Sequence, residues 1–391
     1  MDKRTIAINT PFGRPDAYGA LSVPIYNNVA FEFADATEMA DAFCNRIDAP
    51  DYSRVENPTV TNLELRVRNL TNANSVAAFN SGMAAISNTL LATLKQGSEI
   101  VTSSHLFGNT LALVCSSLAR FGVKARLTDL TNLQKVEQAI NDKTACVFLE
   151  AVTNPQLEVA DVEAICNLAH AKGIPVIIDS TVIPFTHHRL SELGIDIEVL
   201  SSTKYLSGGG TSLGGLVIDY GTFPEIMKRI KTELLFNFGA YMTPQAAYMQ
   251  TLGLETLHVR YERQSANALE IAKGLRELNE IEQVNYIGLP DNPFYSIARK
   301  QFGENAFGAM LTIDLGSKEE CFNTLNRLKL IHRATNLFDN RTLAIHPAST
   351  IFGLFNEALL KKMDVRQTTI RLSVGLEEPT DIINDIKQAL A

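Results

Sequence analysis

Apolar and polar positions follow two alternating patterns over residues 60–219. Short apolar runs, typical of strands buried on both faces, alternate with stretches of roughly ten residues that have helical periodicity. Predicted strands occupy 75–79, 99–103, 124–128, 145–150, 175–179, 197–201 and 215–219, and predicted helices occupy 60–71, 82–94, 110–121, 133–141 and 161–172. This order predicts an α/β fold with a doubly wound, mostly parallel sheet.

The pattern changes beyond about residue 245. A helical stretch over 243–278 precedes strands at 307–315 and 369–374, with helices at 319–328 and 380–390. This pattern predicts a smaller C-terminal α+β domain over 246–391, after an α/β domain over 56–245. Residues 1–55 contain four prolines and are predicted to form an irregular arm.

Charge and cysteine content narrow the class of protein. The net charge is −8 and the basic residues form no long run, so neither nucleic acid nor an anionic membrane is expected as a partner. The first residues have no apolar core typical of a secretory signal, and no apolar run of about 18 residues predicts a membrane span. The five cysteines are scattered without a C-x-x-C pair, which favours free thiols and no metal site. We therefore predict a cytoplasmic protein.

Lys204 is the first candidate for chemistry. It follows an apolar strand, stands among small hydroxyl residues and precedes the glycine-rich run 207–210. Most lysines are solvated surface charges, and that interpretation stays open for Lys204 taken alone. In a partly buried setting, however, the pKa of the amine falls and the free amine can attack a carbonyl.

Three further features lie near predicted strand ends, where open α/β sheets bind ligands. Asp179 ends a strand and could hold a pyridine nitrogen protonated, although strand-terminal Asp is also a common helix cap. Ser81, Gly82 and Met83 join a strand to a helix whose free N–H groups suit a phosphate. The third feature is the pair Tyr52 and Arg54, which could bind a phosphate but could equally belong to a surface arm.

Two motifs resemble a dinucleotide-binding site and a metal site, but the residues around them do not support either function. The run 208–215 lacks the third glycine of a dinucleotide fingerprint, since residue 213 is Leu, and a strand rather than a helix follows it. His187 and His188 are adjacent and have no second ligand cluster, so we interpret them as surface or packing residues and expect no metal.

Together these residues closely resemble the Cys/Met-metabolism family of enzymes that use pyridoxal 5′-phosphate (PLP), which have fold type I. The resemblance runs from about residue 18 to the end. The matching segments, in order, are DYSRVENPTVTNLELRV, FNSGMAAISNTL, HLFGNT, EAVTNPQLEVADVEAI, GIPVIIDST, DIEVLSSTKYLSGGGTSLGG, LGLETLHVRYERQSANAL, IHPAST and RLSVGLEEPTDIINDI. Several long motifs in a fixed order make this match specific.

The resemblance implies a role for each candidate residue. Lys204 would form the Schiff base with PLP and shuttle protons, and Asp179 would pair with the pyridine nitrogen. The residues implied to contact the phosphate or the ring are Ser81, Gly82, Met83, Ser201 and Thr203 for the phosphate, Phe107 for stacking and Asn154 for the ring hydroxyl. Tyr52 and Arg54 would reach the phosphate of a neighbouring subunit, which implies a homo-oligomer, at least a dimer and more often a tetramer.

The residues implied to lie near the substrate differ from those of most family members. Arg371 would bind the α-carboxylate of an amino-acid substrate, and Asn336, a second substrate residue, resembles the sulfhydrylase branch. Phe107 stands where most relatives have Tyr, and Asn109 stands where methionine γ-lyases usually have Cys. Ile351 and Phe352 replace the Thr-His that usually follows the HPAS segment.

These features resemble most the O-acetylhomoserine sulfhydrylases. The implied reaction is γ-replacement, an aminocarboxypropyl transfer from O-acetyl- or O-succinylhomoserine to sulfide in methionine biosynthesis. Methionine γ-lyase and cystathionine γ-synthase are alternatives within the family. A nicotinamide oxidoreductase and a non-catalytic binding protein are alternatives from other classes, which an intact Lys204 and Asp179 disfavour.

Overall fold

Two β-sheets organise the chain. The computed structural model describes residues 1–11, 16–44, 46–305 and 307–391. The larger sheet has seven strands: Ser75–Phe79 (β1), Glu99–Thr102 (β2), Lys124–Leu127 (β3), Thr144–Glu150 (β4), Val176–Asp179 (β5), Ile197–Leu200 (β6) and Gly215–Asp219 (β7). Their spatial order is β1-β7-β6-β5-β4-β2-β3. Every predicted strand of this sheet is present, which confirms the predicted α/β class.

The larger sheet is parallel except at β7. Strands β3, β2, β4, β5 and β6 are parallel to one another, whereas β7 is antiparallel to both β6 and β1. The segment between β6 and β7 carries Lys204 and contains no helix. Since a parallel connection needs a crossover that is usually helical, this direct return places β7 antiparallel.

Helices cover both faces of the larger sheet. The α-helices of the described residues are Lys3–Asn9 (α1), Ala36–Phe43 (α2), Pro58–Thr71 (α3), Gly82–Thr93 (α4), Gly108–Ala112 (α5), Leu133–Ala139 (α6), Val162–His170 (α7), Pro224–Arg229 (α8), Leu235–Phe238 (α9), Pro244–Glu255 (α10), Leu257–Leu275 (α11), Tyr295–Phe302 (α12), Lys318–Arg327 (α13), Glu357–Lys362 (α14) and Pro379–Leu390 (α15). Alternate residues of β4 enter two separate cores, with Val147 and Leu149 in one and Cys146 and Phe148 in the other. The sheet is therefore doubly wound, as predicted.

A second sheet lies in the C-terminal part. It contains Gln283–Asn285 (β8), Met310–Asp314 (β9), His332–Arg333 (β10), Leu343–Ile345 (β11) and Thr369–Ser373 (β12), in the order β10-β11-β12-β9-β8. The sequence predicted β9 and β12. It missed β8, β10 and β11, because strands of two or three residues are too short to show a period.

Three helical predictions need correction. The arm over 1–55 is not irregular throughout: α1 packs against α3 and α10, with Ala7 buried, and α2 begins at the N-cap Asp35. The stretch 243–278 is two helices that meet at Thr256. The predicted helix 110–121 is α5 followed by a π-helical turn and a 3-10 turn. The domain boundaries and the contact of the arm with a neighbouring subunit stay predictions, and residues 12–15 and 45 of that arm lie outside the described residues.

The two adjacent histidines are packing residues in a non-helical segment. The ring of His187 lies 4.4 Å from the ring of Tyr261, and His188 is buried, with its Nε2 2.9 Å from Oε1 of Glu198. The carboxylate of Glu198 also accepts from Ser180 and, at 2.7 Å, from the hydroxyl of Tyr220. These contacts hold the pKa of Glu198 below its usual value against the effect of burial. The carboxylate is thus charged and fully enclosed.

Replacing His188 by leucine is expected to destabilise the protein strongly. The change leaves the Glu198 charge buried without its imidazole partner, so the free energy of unfolding should fall by about 3–5 kcal/mol. Urea unfolding of H188L and of H188L/E198L measures this. The double variant should be the more stable of the two because it removes the unpaired charge. Equal stability of H188L and the parent protein would contradict the prediction.

Candidate active site

The carboxyl ends of neighbouring strands bring the candidate residues to one edge of the larger sheet. Glu150 ends β4, Asp179 ends β5, Ser201 follows β6, and Ser81 follows β1, which runs in the same direction as β6. A cavity of about 590 Å³ opens at this edge. Its described lining is Ser81, Gly82, Met83, Ile86, Phe107, Asn109, Glu150, Val152, Asn154, Asp179, Thr181, Val182, Ser201, Thr203, Lys204, Leu213, Thr335, Leu337, Thr350, Ile351 and Arg371.

Lys204 lies in the turn that follows β6. Its Nζ donates to Oδ1 of Asn336 at 2.9 Å, although the two residues are 132 positions apart. Burial, and then the charge of Arg371, lower the pKa of Lys204 to about 8. The following residue, Tyr205, stacks on Phe338 with ring centroids 3.9 Å apart, and this stack anchors the turn. A free amine is therefore accessible near neutral pH at a fixed position.

Asp179 faces the cavity without a cationic partner among its described contacts. Its Oδ1 accepts from the backbone N–H of Thr181 at 2.9 Å, and the residue is 9 % exposed. Burial raises the pKa of Asp179 to about 6. A buried carboxylate of this kind gains most from a cation placed in the cavity, and a protonated pyridine nitrogen would supply one.

The segment between β1 and α4 forms an anion seat. The hydroxyl of Ser81 caps α4 by accepting from the N–H of Ala84 at 3.1 Å, which leaves the N–H groups of Gly82 and Met83 for a ligand. A Cβ on Gly82 would lie 2.6 Å from Cβ of Ser201, so only glycine allows the helix to approach the Ser201 backbone this closely. A phosphate fits this seat.

Thr203 faces the same cavity with its hydroxyl already engaged. Its Oγ1 accepts from the N–H of Gly214 at 3.0 Å and lies 3.2 Å from the carbonyl oxygen of that residue. Its role in holding the phosphate therefore stays a prediction.

Arg371 also lines the cavity. Its Nη1 donates to Oδ1 of Asn154 at 3.1 Å, its Nη2 contacts the carbonyl oxygen of Asn336 at 3.4 Å, and its buried Nε has no hydrogen-bond partner. Burial lowers the pKa of Arg371 to about 9. An enclosed guanidinium with an unsatisfied N–H suits a carboxylate, which can accept two parallel bonds.

Phe107 lines the cavity just before α5. Its backbone N–H donates to Oε1 of Glu150 at 2.6 Å. The next residue, Gly108, is packed so closely that a Cβ would lie 3.0 Å from the carbonyl oxygen of Ile351. Glu150 was not predicted as a site residue from the sequence, although it ends its strand just as Asp179 does.

The remaining predicted residues lie outside this cavity. Asn336 lines an adjoining opening that also includes Lys204, and it contributes its side-chain oxygen to the amine. Tyr52 and Arg54 do not line the cavity of their own chain. Tyr52 is 40 % exposed, and Nη1 of Arg54 donates to the carbonyl oxygen of Phe236 at 2.6 Å. Their predicted contact with the phosphate of a neighbouring subunit stays a prediction.

The fold and the site define a PLP-dependent enzyme of fold type I. The sequence profile described as Cys/Met metabolism PLP-dependent enzyme matches residues 4–391. The chain belongs to this family, and PLP is its cofactor. The residues that would hold PLP are present: the amine of Lys204, the carboxylate of Asp179 and the phosphate seat at Gly82.

Two of the sequence relatives have different activities. The chain is 38 % identical over 376 residues to an L-methionine gamma-lyase of Fusobacterium nucleatum, covering 95 % of this chain and 94 % of that protein. It is 33 % identical to an O-acetyl-L-homoserine sulfhydrylase of Corynebacterium glutamicum, with 95 % and 93 % coverage. Both relatives share the family chemistry, so identity alone leaves the reaction open.

Structural similarity extends over the whole chain. A crystal structure of a putative O-acetylhomoserine (thiol)-lyase of Campylobacter jejuni superposes with a TM-score of 0.96 at 32 % identity, covering 100 % of both chains. That protein carries a pyridoxyl group on a lysine. Within the described residues of the present chain, no helix combines the length and the apolar character needed to cross a bilayer.

Replacing Asn336 by aspartate is expected to shift the titration of Lys204. A carboxylate at the position of the amide favours the ammonium form, so the pKa of the Lys204 amine should rise from about 8. We expect the rate at which cofactor-free protein takes up PLP, which depends on the unprotonated amine, to reach its half-maximum at a higher pH. N336A, which removes the acceptor without adding charge, is the control. An unchanged pH profile in N336D would contradict the prediction.

Proposed function

We propose that this protein catalyses γ-replacement on O-acetylhomoserine with sulfide, forming homocysteine and acetate in methionine biosynthesis. In this reaction the γ C–O bond breaks with its electron pair leaving on acetate, and a C–S bond forms to hydrosulfide, so no oxidant or reductant is needed. We further propose a homo-oligomer in which Tyr52 and Arg54 complete the phosphate site of a neighbouring subunit.

The observation that carries the proposal is the composition of the reacting end of the cavity. Its described lining contains no tyrosine, histidine or cysteine. Phe107 has no hydroxyl, and Asn109 has no thiol. Within one subunit the chain therefore offers no phenol or thiol there to protonate a leaving group, and the phenol of a neighbouring subunit's Tyr52 is assigned to the phosphate.

This composition suits an ester better than a thioether. A carboxylate leaving group has a conjugate-acid pKa of about 4, whereas a thiolate has one of about 8.5 or more. Acetate can therefore leave without receiving a proton, while a thiolate gains much more from general-acid help. The lining thus supports loss of acetate from the γ-carbon.

The charges of the cavity favour an acyl group and a sulfur donor that carry no extra carboxylate. Lys204 and Arg371 are the only cationic side chains in the described lining, and Arg371 is assigned to the substrate α-carboxylate. In the adjoining opening, Arg341 is paired with Asp339, with Nε 2.8 Å from Oδ1, and Nη1 of Arg333 donates to the carbonyl oxygen of Leu325 at 2.8 Å. A succinyl ester or a cysteine acceptor would each bring a further carboxylate. Acetyl and sulfide need no additional cation.

Each residue of the cavity has a separate role in the proposed reaction. Bound PLP supplies the electron sink for the pair of electrons left when the substrate loses its α-proton. The Lys204 amine accepts that proton and moves a proton at the β-carbon, because its pKa is lowered towards neutrality and Asn336 fixes its position. Asp179 keeps a negative charge next to the site for the ring nitrogen, and Arg371 orients the substrate by its carboxylate.

A second candidate function is methionine γ-lyase. It is favoured by the 38 % identity to the Fusobacterium enzyme against 33 % for the sulfhydrylase. Cystathionine γ-synthase is a third, distinguished by cysteine as the acceptor. The three reactions give different products.

Product identification separates these functions. The holoenzyme is incubated with O-acetyl- or O-succinylhomoserine, with sulfide, cysteine or no acceptor, and separately with methionine. We expect homocysteine from the acetyl ester with sulfide at the highest kcat/KM. Efficient release of α-ketobutyrate from methionine without added sulfide would overturn the proposal in favour of the lyase, and cystathionine as the main product would favour the synthase.

A further inference from the structure

Glu150 is a buried acid that the proposed reaction does not use. It ends β4, is 8 % exposed and lines the cavity. In the ladder between β4 and β5 it is paired in register with Asp179, so the two side chains leave the sheet on the same face. An acid buried beside another acid is costly unless it has a specific task.

The carboxyl of Glu150 contacts the backbone of the segment that carries Phe107. Its Oε1 accepts from the N–H of Phe107 at 2.6 Å, which reaches 43 residues back to the segment before α5. The backbone N–H of Asn154, in the loop that follows β4, acts on the same carboxyl by lowering its pKa. Phe107 and Asn154 are the residues assigned to stack on the PLP ring and to lie near its hydroxyl.

Phe107 depends on this contact for its position. It precedes α5, a helix of five residues, and no side chain caps the start of that helix. Among the described hydrogen bonds, the backbone N–H of Phe107 has Glu150 as its acceptor, while its carbonyl oxygen belongs to the helix, accepting from Leu111 at 3.0 Å. The side chain of Phe107 itself is apolar and can form no directional bond. The hydrogen bond to Glu150 therefore fixes the backbone from which the side chain of Phe107 enters the cavity.

We propose that Glu150 is a positioning residue for the cofactor, which holds Phe107 in place against the PLP ring. The neighbouring Asp179 supports this role, since burial and then that carboxylate raise the pKa of Glu150 well above its usual value. Glu150 thus serves as a hydrogen-bonding carboxyl rather than as a second charge. The proposal rests on the assigned stacking role of Phe107 and not on the identity of the sulfur acceptor.

A double-mutant cycle on PLP affinity tests this proposal without any turnover. The dissociation constant of PLP is measured by equilibrium dialysis for E150A, F107A and E150A/F107A. We expect E150A to weaken binding about fivefold to tenfold and F107A about tenfold, from the lost hydrogen bond and the lost stacking. If Glu150 acts through Phe107, the double variant should be within about twofold of F107A rather than showing the product of the two effects.

Two controls keep the result specific. E150Q retains an oxygen acceptor for the Phe107 N–H, so its PLP affinity and its visible circular dichroism band should be close to those of the parent protein. Glu99 is a matched buried glutamate, 6 % exposed. It stands at the start of β2, at the opposite edge of the sheet from the carboxyl ends that form the cavity. E99A and F107A should therefore combine multiplicatively.

Three outcomes would overturn the proposal. They are parent-like PLP affinity in E150A, E150Q as weak as E150A, and multiplicative effects in the E150A/F107A cycle. Since none of these measurements involves O-acetylhomoserine or sulfide, their failure is distinguishable from a failure of the proposed reaction. Far-UV circular dichroism of each variant checks that the fold is retained.

Discussion

Replacing Lys204 by alanine is expected to reduce kcat/KM by at least about 10³-fold. The pKa of about 8 and the hydrogen bond to Asn336 leave a fixed amine that can exchange protons near neutral pH, and in the proposed reaction it carries the general acid–base steps at two carbons. The variant should still bind PLP, since the phosphate seat at Gly82 and the carboxylate of Asp179 do not depend on the amine. Product formation and the PLP content of K204A measure the two effects separately.

A small primary amine offers a sharper test of Lys204. Added methylamine should restore part of the activity of K204A, because it can enter the space of the deleted side chain and carry the same protons. K172A, which removes an exposed lysine, should be fully active without it. Retention of more than about a tenth of kcat/KM in K204A would exclude Lys204 as the proton carrier.

Replacing Arg371 by leucine is expected to lower kcat/KM by about 10²- to 10³-fold. The guanidinium is buried, one of its N–H groups has no partner, and two hydrogen bonds to a carboxylate of about 1.5–3 kcal/mol each would be lost. R371K keeps the charge without the planar fork and should be intermediate. The measurement is steady-state turnover of O-acetylhomoserine with sulfide.

A substrate without the carboxylate isolates this interaction. For 3-aminopropyl acetate, which is O-acetylhomoserine lacking only that group, R371L and the parent protein should have similar kcat/KM. A large further loss in R371L with this compound would show that Arg371 acts elsewhere. The free energy of unfolding should change little or rise in R371L, because a buried charge with an unsatisfied N–H is removed.

Much of the larger sheet could be predicted because its strands are buried on both faces. Runs such as 145–150 and 175–179 have the continuous apolar character that leaves little choice of structure. The residues at their ends then meet at one edge for geometric reasons alone. This explains why Asp179, Ser201 and the Ser81-Gly82-Met83 seat, separated along the chain, could be placed together.

Other features depend on contacts that a local pattern does not contain. The hydrogen bond from Lys204 to Asn336 joins the two sheets and has no signal in either segment. Phe338 has a φ of 56°, a left-handed conformation that favours glycine, and it is held there by Tyr205 and by a hydrogen bond from its N–H to Oγ of Ser373 at 2.7 Å. Tertiary packing decides such cases.

Phe107 also bears on how this chain could change its reaction during evolution. Phenylalanine and tyrosine codons differ by a single nucleotide, and both side chains present the same flat face to a cofactor ring. A hydroxyl at this position would therefore arise by one mutational step and leave the stacking surface in place. In this fold, loss of a carboxylate leaving group and loss of a thiolate leaving group would be separated by one substitution. Either specificity could therefore be gained or lost while the cofactor site stays unchanged.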